Sequence, residues 1–126
     1  MMNFINYDLN KMFKDMVDAS KYITPRADLY DNENSYLAIV DIPGVKKEDI
    51  KLDVCNNILT VLAKKMELDS NNSVSSVIER SSGEYKRVFE LANLDENNIK
   101  AKYENGVLAI YIPKVVSNNS KTISIE

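Results

Sequence analysis

Asn105-Gly106 stands between two stretches in which apolar residues alternate with others, residues 99–103 and 107–112. A two-residue type I′ turn needs φ above zero at both centres, which Asn and Gly tolerate, so the pair reads as a β-hairpin and commits this part of the chain to antiparallel strands. Asn56-Asn57 does the same between residues 50–54 and 58–62. Further alternating stretches lie at 35–42 and 85–91, with a weaker strand candidate at 74–78. Pro43-Gly44 is a turn pair. After it, residues 47–49 are expected to make one helical turn, whose first residues favour the acidic Glu48-Asp49; Asp95-Glu96 is read in the same way. Seven or eight short strands with tight turns imply an all-β, antiparallel β-sandwich. Val107, Leu108, Ile110 and Ile112 are expected in its core or between its sheets.

The sequence also echoes itself. Residues 35–65 align without a gap on 84–114 at an offset of 49, with Tyr36, Ile50, Lys51, Asn56, Leu59 and Lys65 matched by Tyr85, Ile99, Lys100, Asn105, Leu108 and Lys114. Six identities in 31 positions are few, but the apolar positions and hairpin turns coincide as well. The expectation is two similar units stacked into one sandwich.

Residues 1–24 follow a different period. Leu9, Met12, Phe13, Met16 and Val17 fall on one face of a helix, with Lys11, Lys14, Asp15 and Asp18 on the other. Pro25 closes this short N-terminal amphipathic helical arm and opens a domain over 25–114. The stripe is rich in Met, whose flexible thioether adapts to irregular apolar surfaces. With Phe4 and Tyr7 it suits the exposed hydrophobic segments of unfolding client proteins, and it equally suits burial within an oligomer. Residues 115–126 form an extended C-terminal tail. Ile123 and Ile125 point the same way along an extended strand, so both can enter one groove while Ser124 faces out.

Composition removes most enzyme classes. The chain has no His, so a Ser-His-Asp triad, a Cys-His pair and a His-containing zinc site are all excluded. Its single Cys, Cys55, can form neither an internal disulfide nor a CxxC pair and reads as an ordinary strand residue. Three scattered glycines cannot build a phosphate-cradling loop, so the expectation is no catalytic residues, no cofactor and no metal site. There are 16 basic and 19 acidic residues and no basic stripe, which argues against a nucleic-acid partner. No apolar run approaches the roughly 20 residues of a membrane helix, and the first residues lack the apolar centre of a secretory leader. A cytoplasmic protein with no membrane partner is expected.

The residues now in view resemble the small heat-shock protein family, built on an alpha-crystallin domain. AKYENGVL at 101–108 fits the family's A-x-x-x-N-G-V-L motif in full and continues into AIYIPK at 109–114. DIPGV at 41–45 with KEDI at 47–50 resembles the strand and turn ahead of the family's central hairpin. Glu79-Arg80, Gly83, Tyr85, Arg87 and Phe89 resemble the entry to its interface strand, and Ile123-Ser124-Ile125 its terminal I-x-I. Two features depart from the family pattern. Leu91-Ala92 stands where the family has Leu-Pro, and the Ser- and Asn-rich stretch 66–78 occupies the place of a strand that non-animal members exchange between subunits.

The resemblance implies an ATP-independent chaperone, a holdase that keeps partly unfolded proteins from aggregating, especially under heat stress. It implies an immunoglobulin-like form of the β-sandwich and a homodimer assembling into larger homo-oligomers. It makes Ile123 and Ile125 an oligomerisation tail, received by a groove lined by Ile50, Leu52, Val54, Ile99, Ala101 and Tyr103. It places Arg87, Glu79 and Arg80 at the dimer interface, with Glu79, Glu84 or Asp53 as carboxylate partner for Arg87. The residues alone leave open that Arg87 simply faces solvent. The alternative is a co-chaperone or scaffold module of the related CS-domain type, docking as a monomer on one folded partner.

Overall fold

The computed structural model describes residues 22–66, 74, 76–81, 83–116 and 123–126. The arm residues Phe4, Tyr7, Leu9, Met12, Phe13, Met16 and Val17 lie outside the described residues, and so does the helix expected for them. Eight strands follow in chain order: β1 (Tyr22–Ile23), β2 (Ala27–Asp31), β3 (Ser35–Asp41), β4 (Val45–Cys55), β5 (Ile58–Lys65), β6 (Glu84–Glu90), β7 (Lys100–Glu104) and β8 (Val107–Pro113). They form two four-stranded sheets, ordered β1-β6-β5-β4 and β2-β3-β8-β7. Every pairing is antiparallel except the short parallel contact of β1 with β6.

Period-two alternation decides which residues turn inward. Tyr36, Ala38, Val40 and then Ile42 run along the inner face from β3, Leu108, Ile110 and Ile112 along that of β8, and Leu59, Val61 and Ala63 along that of β5. With Tyr85 and Phe89 of β6 they form one buried cluster between the sheets. Val107 is only half-buried, at the outer end of β8.

The internal echo is a symmetry of the fold. Each unit supplies a strand and a hairpin, β3 with β4-β5 and β6 with β7-β8, and the units exchange their first strands. β3 pairs with β8 of the other unit and β6 with β5. The registers agree under the offset: Tyr36↔Ile112 corresponds to Tyr85↔Ala63, and Val40↔Leu108 to Phe89↔Leu59. The left-handed turn residues also correspond, Gly44 (φ 81°) to Asn93 (59°), Asn56 (51°) to Asn105 (53°), and Asn57 (64°) to Gly106 (79°). Asn93 thus preserves, beside Leu91-Ala92, the turn that Pro43-Gly44 makes in the first unit.

Two local expectations need correction, at residues 47–49 and 74–78. Residues 47–49 do not make a helical turn; they belong to β4. Its register slips between Val45 and Ile50, so a β-bulge takes up the surplus residues and leaves residues 46–49 exposed to water. Asp95-Glu96 opens a hydrogen-bonded turn: Asp95 Oδ1 accepts from the Asn97 amide at 3.3 Å, its Oδ2 from Asn98 Nδ2 at 2.7 Å, and its carbonyl from the Asn98 amide at 3.3 Å. The described residues of the 74–78 candidate form no strand, and Val74, Val77 and Ile78 are highly exposed. Finally, β1 and β2 add strands that the alternation did not indicate, and Tyr22-Ile23 joins the sandwich by pairing with Glu84 and Tyr85.

Candidate functional site

Stacking the sheets places β4 over β7 at one open edge of the sandwich, since each ends its own sheet. A cleft of about 250 Å³ lies there, lined by Ile50 and Leu52 of β4, Ala101 and Tyr103 of β7, Leu108, and Lys47 at its rim. Of the expected groove residues, Ile50, Leu52, Ala101 and Tyr103 come together in it. Val54 and Ile99 are half-buried and pack against the core beside it. Lys47 and Leu108 are outside the expected lining: residues 47–49 are expected in a helical turn, and Leu108 in the core or between the sheets.

Tyr103 gives the cleft its fixed wall. Its hydroxyl lies 3.1 Å from the Ile42 carbonyl and 2.8 Å from the Val45 carbonyl, two acceptors for its one proton, which ties β7 to the turn between β3 and β4. The outward faces of the same edge strands carry Lys51 with Asp53 at 3.6 Å and Lys102 with Glu104 at 3.4 Å. Exposed pairs of this kind add little stability, but charge on an edge strand discourages unspecific pairing with other chains. The edge is therefore apolar inside and charged outside. Ile123 and Ile125 of the tail are 84% and 98% exposed, so neither is buried in the cleft of its own chain.

The opposite edge is built differently. β1 covers β6 only at Glu84 and Tyr85, and β2 ends its sheet with Leu29 and Tyr30 exposed. Arg87 occupies the inward-facing row of β6, between Tyr85 and Phe89 and opposite Val61. Under the offset its counterpart is Ala38, which is wholly buried. A half-buried guanidinium thus stands where the first unit has a methyl group. Arg87 Nη1 donates to the Pro25 carbonyl at 3.4 Å, and the guanidinium carbon lies 5.3 Å from the centre of the Phe89 ring. Among the described residues no carboxylate comes within salt-bridge distance of it, and Glu79, Glu84 and Asp53 are no exception. Instead Arg87 borders a hollow of about 400 Å³ with Arg26, Ala27, Asp28, Ile39 and Asp41. Arg26 and Asp28 carry no sequence signal beyond their charge, and Asp41 enters the sequence reading only as the start of the DIPGV stretch. Glu79 and Arg80 are exposed and outside any strand. Cys55 ends β4 as an exposed free thiol.

Comparison with known proteins gives one consistent result. The sequence model of the Hsp20/alpha crystallin family matches residues 28–126. The 18 kDa heat shock protein of Clostridium acetobutylicum is 38% identical over 107 residues, covering 79% of this chain and 70% of its own. A small heat-shock protein of known structure from Xylella fastidiosa aligns with a TM-score of 0.67 and 30% identity, covering 84% of this chain and 98% of that one. Heat shock protein 16.0 of Schizosaccharomyces pombe aligns with a TM-score of 0.67 and 28% identity over 82% of this chain and 99% of that one.

Proposed function

Because the chain belongs to the Hsp20/alpha crystallin family of stress chaperones, we propose that it binds partly unfolded proteins without ATP and holds them back from aggregation. The observation that carries this reading is the apolar cleft at the β4/β7 edge, together with the two exposed isoleucines of the tail. A chain that performs no chemistry can still compete for the apolar surface of an unfolding protein, because removing such surface from water is favourable at every contact.

In this reading Ile123 and Ile125 enter the cleft of another subunit, against Ile50, Leu52, Val54, Ile99, Ala101 and Tyr103. Burying two isoleucines contributes on the order of 3 to 5 kcal/mol before ordering costs, enough for a reversible contact that repetition around an oligomer strengthens. The eight residues 115–122 can span up to roughly 26 Å, ample to reach a neighbour. The free β2 edge and the hollow at Arg87 form the dimer contact, with Glu79 and Arg80 of the connecting segment beside it. The arm, through Phe4, Tyr7, Leu9, Met12, Phe13, Met16 and Val17, offers clients further apolar surface. The site of action is the cytoplasm. Warming shifts the subunit equilibrium toward smaller species and exposes more of these surfaces.

A monomeric CS-domain adaptor is not favoured, since the relatives and structural neighbours described above are small heat-shock proteins. Native mass separates the two readings: an oligomer supports the chaperone, a stable monomer the adaptor.

A further inference from the structure

Lys65 and Lys114 are 49 positions apart and hold equivalent places in the two units. Lys65 ends β5 and pairs with Val45; Lys114 follows β8 and makes the corresponding bridge with Leu94. Each ammonium reaches a backbone carbonyl just ahead of a unit's first strand. Lys65 Nζ donates to Ser81 O at 2.5 Å and Lys114 Nζ to Asn32 O at 2.6 Å, and Asn32 and Ser81 are again 49 apart. The amides that follow correspond too, Met66 donating to Gly44 O at 2.8 Å and Val115 to Asn93 O at 2.7 Å.

These are the points at which the chain leaves the sandwich, once toward residues 67–83 and once into the tail. A lysine at a strand end ordinarily keeps its head in water and its rotamers free, so one ordered contact made twice at equivalent sites has a structural consequence. Lys114 is held further. Its ammonium lies 2.6 Å from Asp31 Oδ1 and 4.5 Å from the centre of the Tyr36 ring, its amide donates to Asn34 O at 2.9 Å, and its side chain is only 21% exposed. Asp31 is the last residue of β2, the free edge strand.

We propose that Lys114 is a positioning residue that fixes the direction in which the tail leaves the sandwich and joins the root of the tail to the β2 edge, with Lys65 making the equivalent contact in the first unit. For the tail this rests on the tether reading above. It joins the two surfaces proposed for assembly through a single side chain, so that loosening one loosens the other.

The test uses the full chain, with Lys114→Met, Asp31→Asn and a truncation after Ser120, read by amide hydrogen exchange and native mass. In Lys114→Met the Asn32, Lys114 and Val115 amides are expected to exchange about tenfold faster, the scale of one lost charge-assisted hydrogen bond. Mean oligomer size is expected to fall toward that of the truncated chain. Asp31→Asn removes the charged partner at almost constant volume and is expected to act in the same direction, which keeps the test decisive where Lys114→Met fails to fold. The two changes together are expected to be less than additive. Unchanged exchange at Asn32 and Val115 in both variants overturns the proposal. So does faster exchange with unchanged mass in a protein whose truncation does lower the mass. Truncation without effect on mass instead removes the tether reading, and the exchange at Val115 then decides the positioning role alone.

Discussion

Tyr36 and Tyr85 do the same work in the two halves of the sandwich. The Tyr36 hydroxyl donates to the Ala92 carbonyl at 3.0 Å and the Tyr85 hydroxyl to the Pro43 carbonyl at 3.1 Å, with donors and acceptors each 49 residues apart. Both rings are buried, and each hydroxyl pins the turn that follows the other unit's first strand. The two bonds close the exchange of first strands from opposite ends.

Their equivalence is measurable. Tyr36→Phe and Tyr85→Phe are each expected to lower unfolding stability by about 1 kcal/mol, the usual net value of an intramolecular hydrogen bond. Urea unfolding of the two variants should give midpoints displaced alike; a loss confined to one would show that the turns are held unequally.

Gly106 is under two constraints. Its φ is 79°, and a Cβ built there would sit 3.2 Å from Pro43 Cα, a backbone atom with little freedom to move. Gly106→Ala is expected to destabilise the domain by about 1 to 2 kcal/mol from the left-handed conformation alone, and by more from the contact. Asn57→Gly at the equivalent turn relieves the left-handed φ of 64° but removes the side-chain oxygen that accepts from the Leu94 amide at 3.4 Å, so it is expected to change stability by less than about 1 kcal/mol. Thermal unfolding of both variants checks the contrast.

Much of this architecture was legible in the sequence because alternation and turn chemistry are local. Both hairpins, the inner rows of β3, β5 and β8, and the repeat at offset 49 could be read from residue types alone. β2 could not: its Leu29-Tyr30 shows no alternation, and its inward residues have little to cover at a sheet edge. The bulge in β4 is not distinguishable from a helical turn in the sequence, because the four charged residues 46–49 between a turn and a strand suit either setting. Arg87 was ambiguous because a strand face has no sign until the sheets are stacked. The cleft residues Ile50, Leu52, Ala101 and Tyr103 were named from a resemblance; alternation placed them on one face, but only the sheet order brings β4 and β7 to the same edge.

Arg87 tests the dimer contact. Arg87→Ala removes contacts to Pro25 O and the Phe89 ring that are weak within one chain, so monomer stability is expected to change by less than about 1 kcal/mol. In the proposed dimer it leaves a carboxylate unpaired, and dissociation is expected to become easier by at least about tenfold. Analytical ultracentrifugation over a dilution series separates these effects.

The tail and its cleft should fail together. Ile123→Ala with Ile125→Ala is expected to shift native mass toward dimers, and Leu52→Asp on the receiving side to do the same while the tail stays intact. Size-exclusion chromatography with light scattering reads both, and circular dichroism confirms that the sandwich is retained. A shift in only one of the two would mean that the tail and the cleft do not meet.

The most direct measurement is the aggregation of a heat-labile client, followed by light scattering with and without the protein at equimolar subunits and with no ATP present. The account predicts that scattering is suppressed and that the client is recovered in a soluble complex. Aggregation equal to that of the client alone, from a chain shown to be folded and assembled, would contradict it.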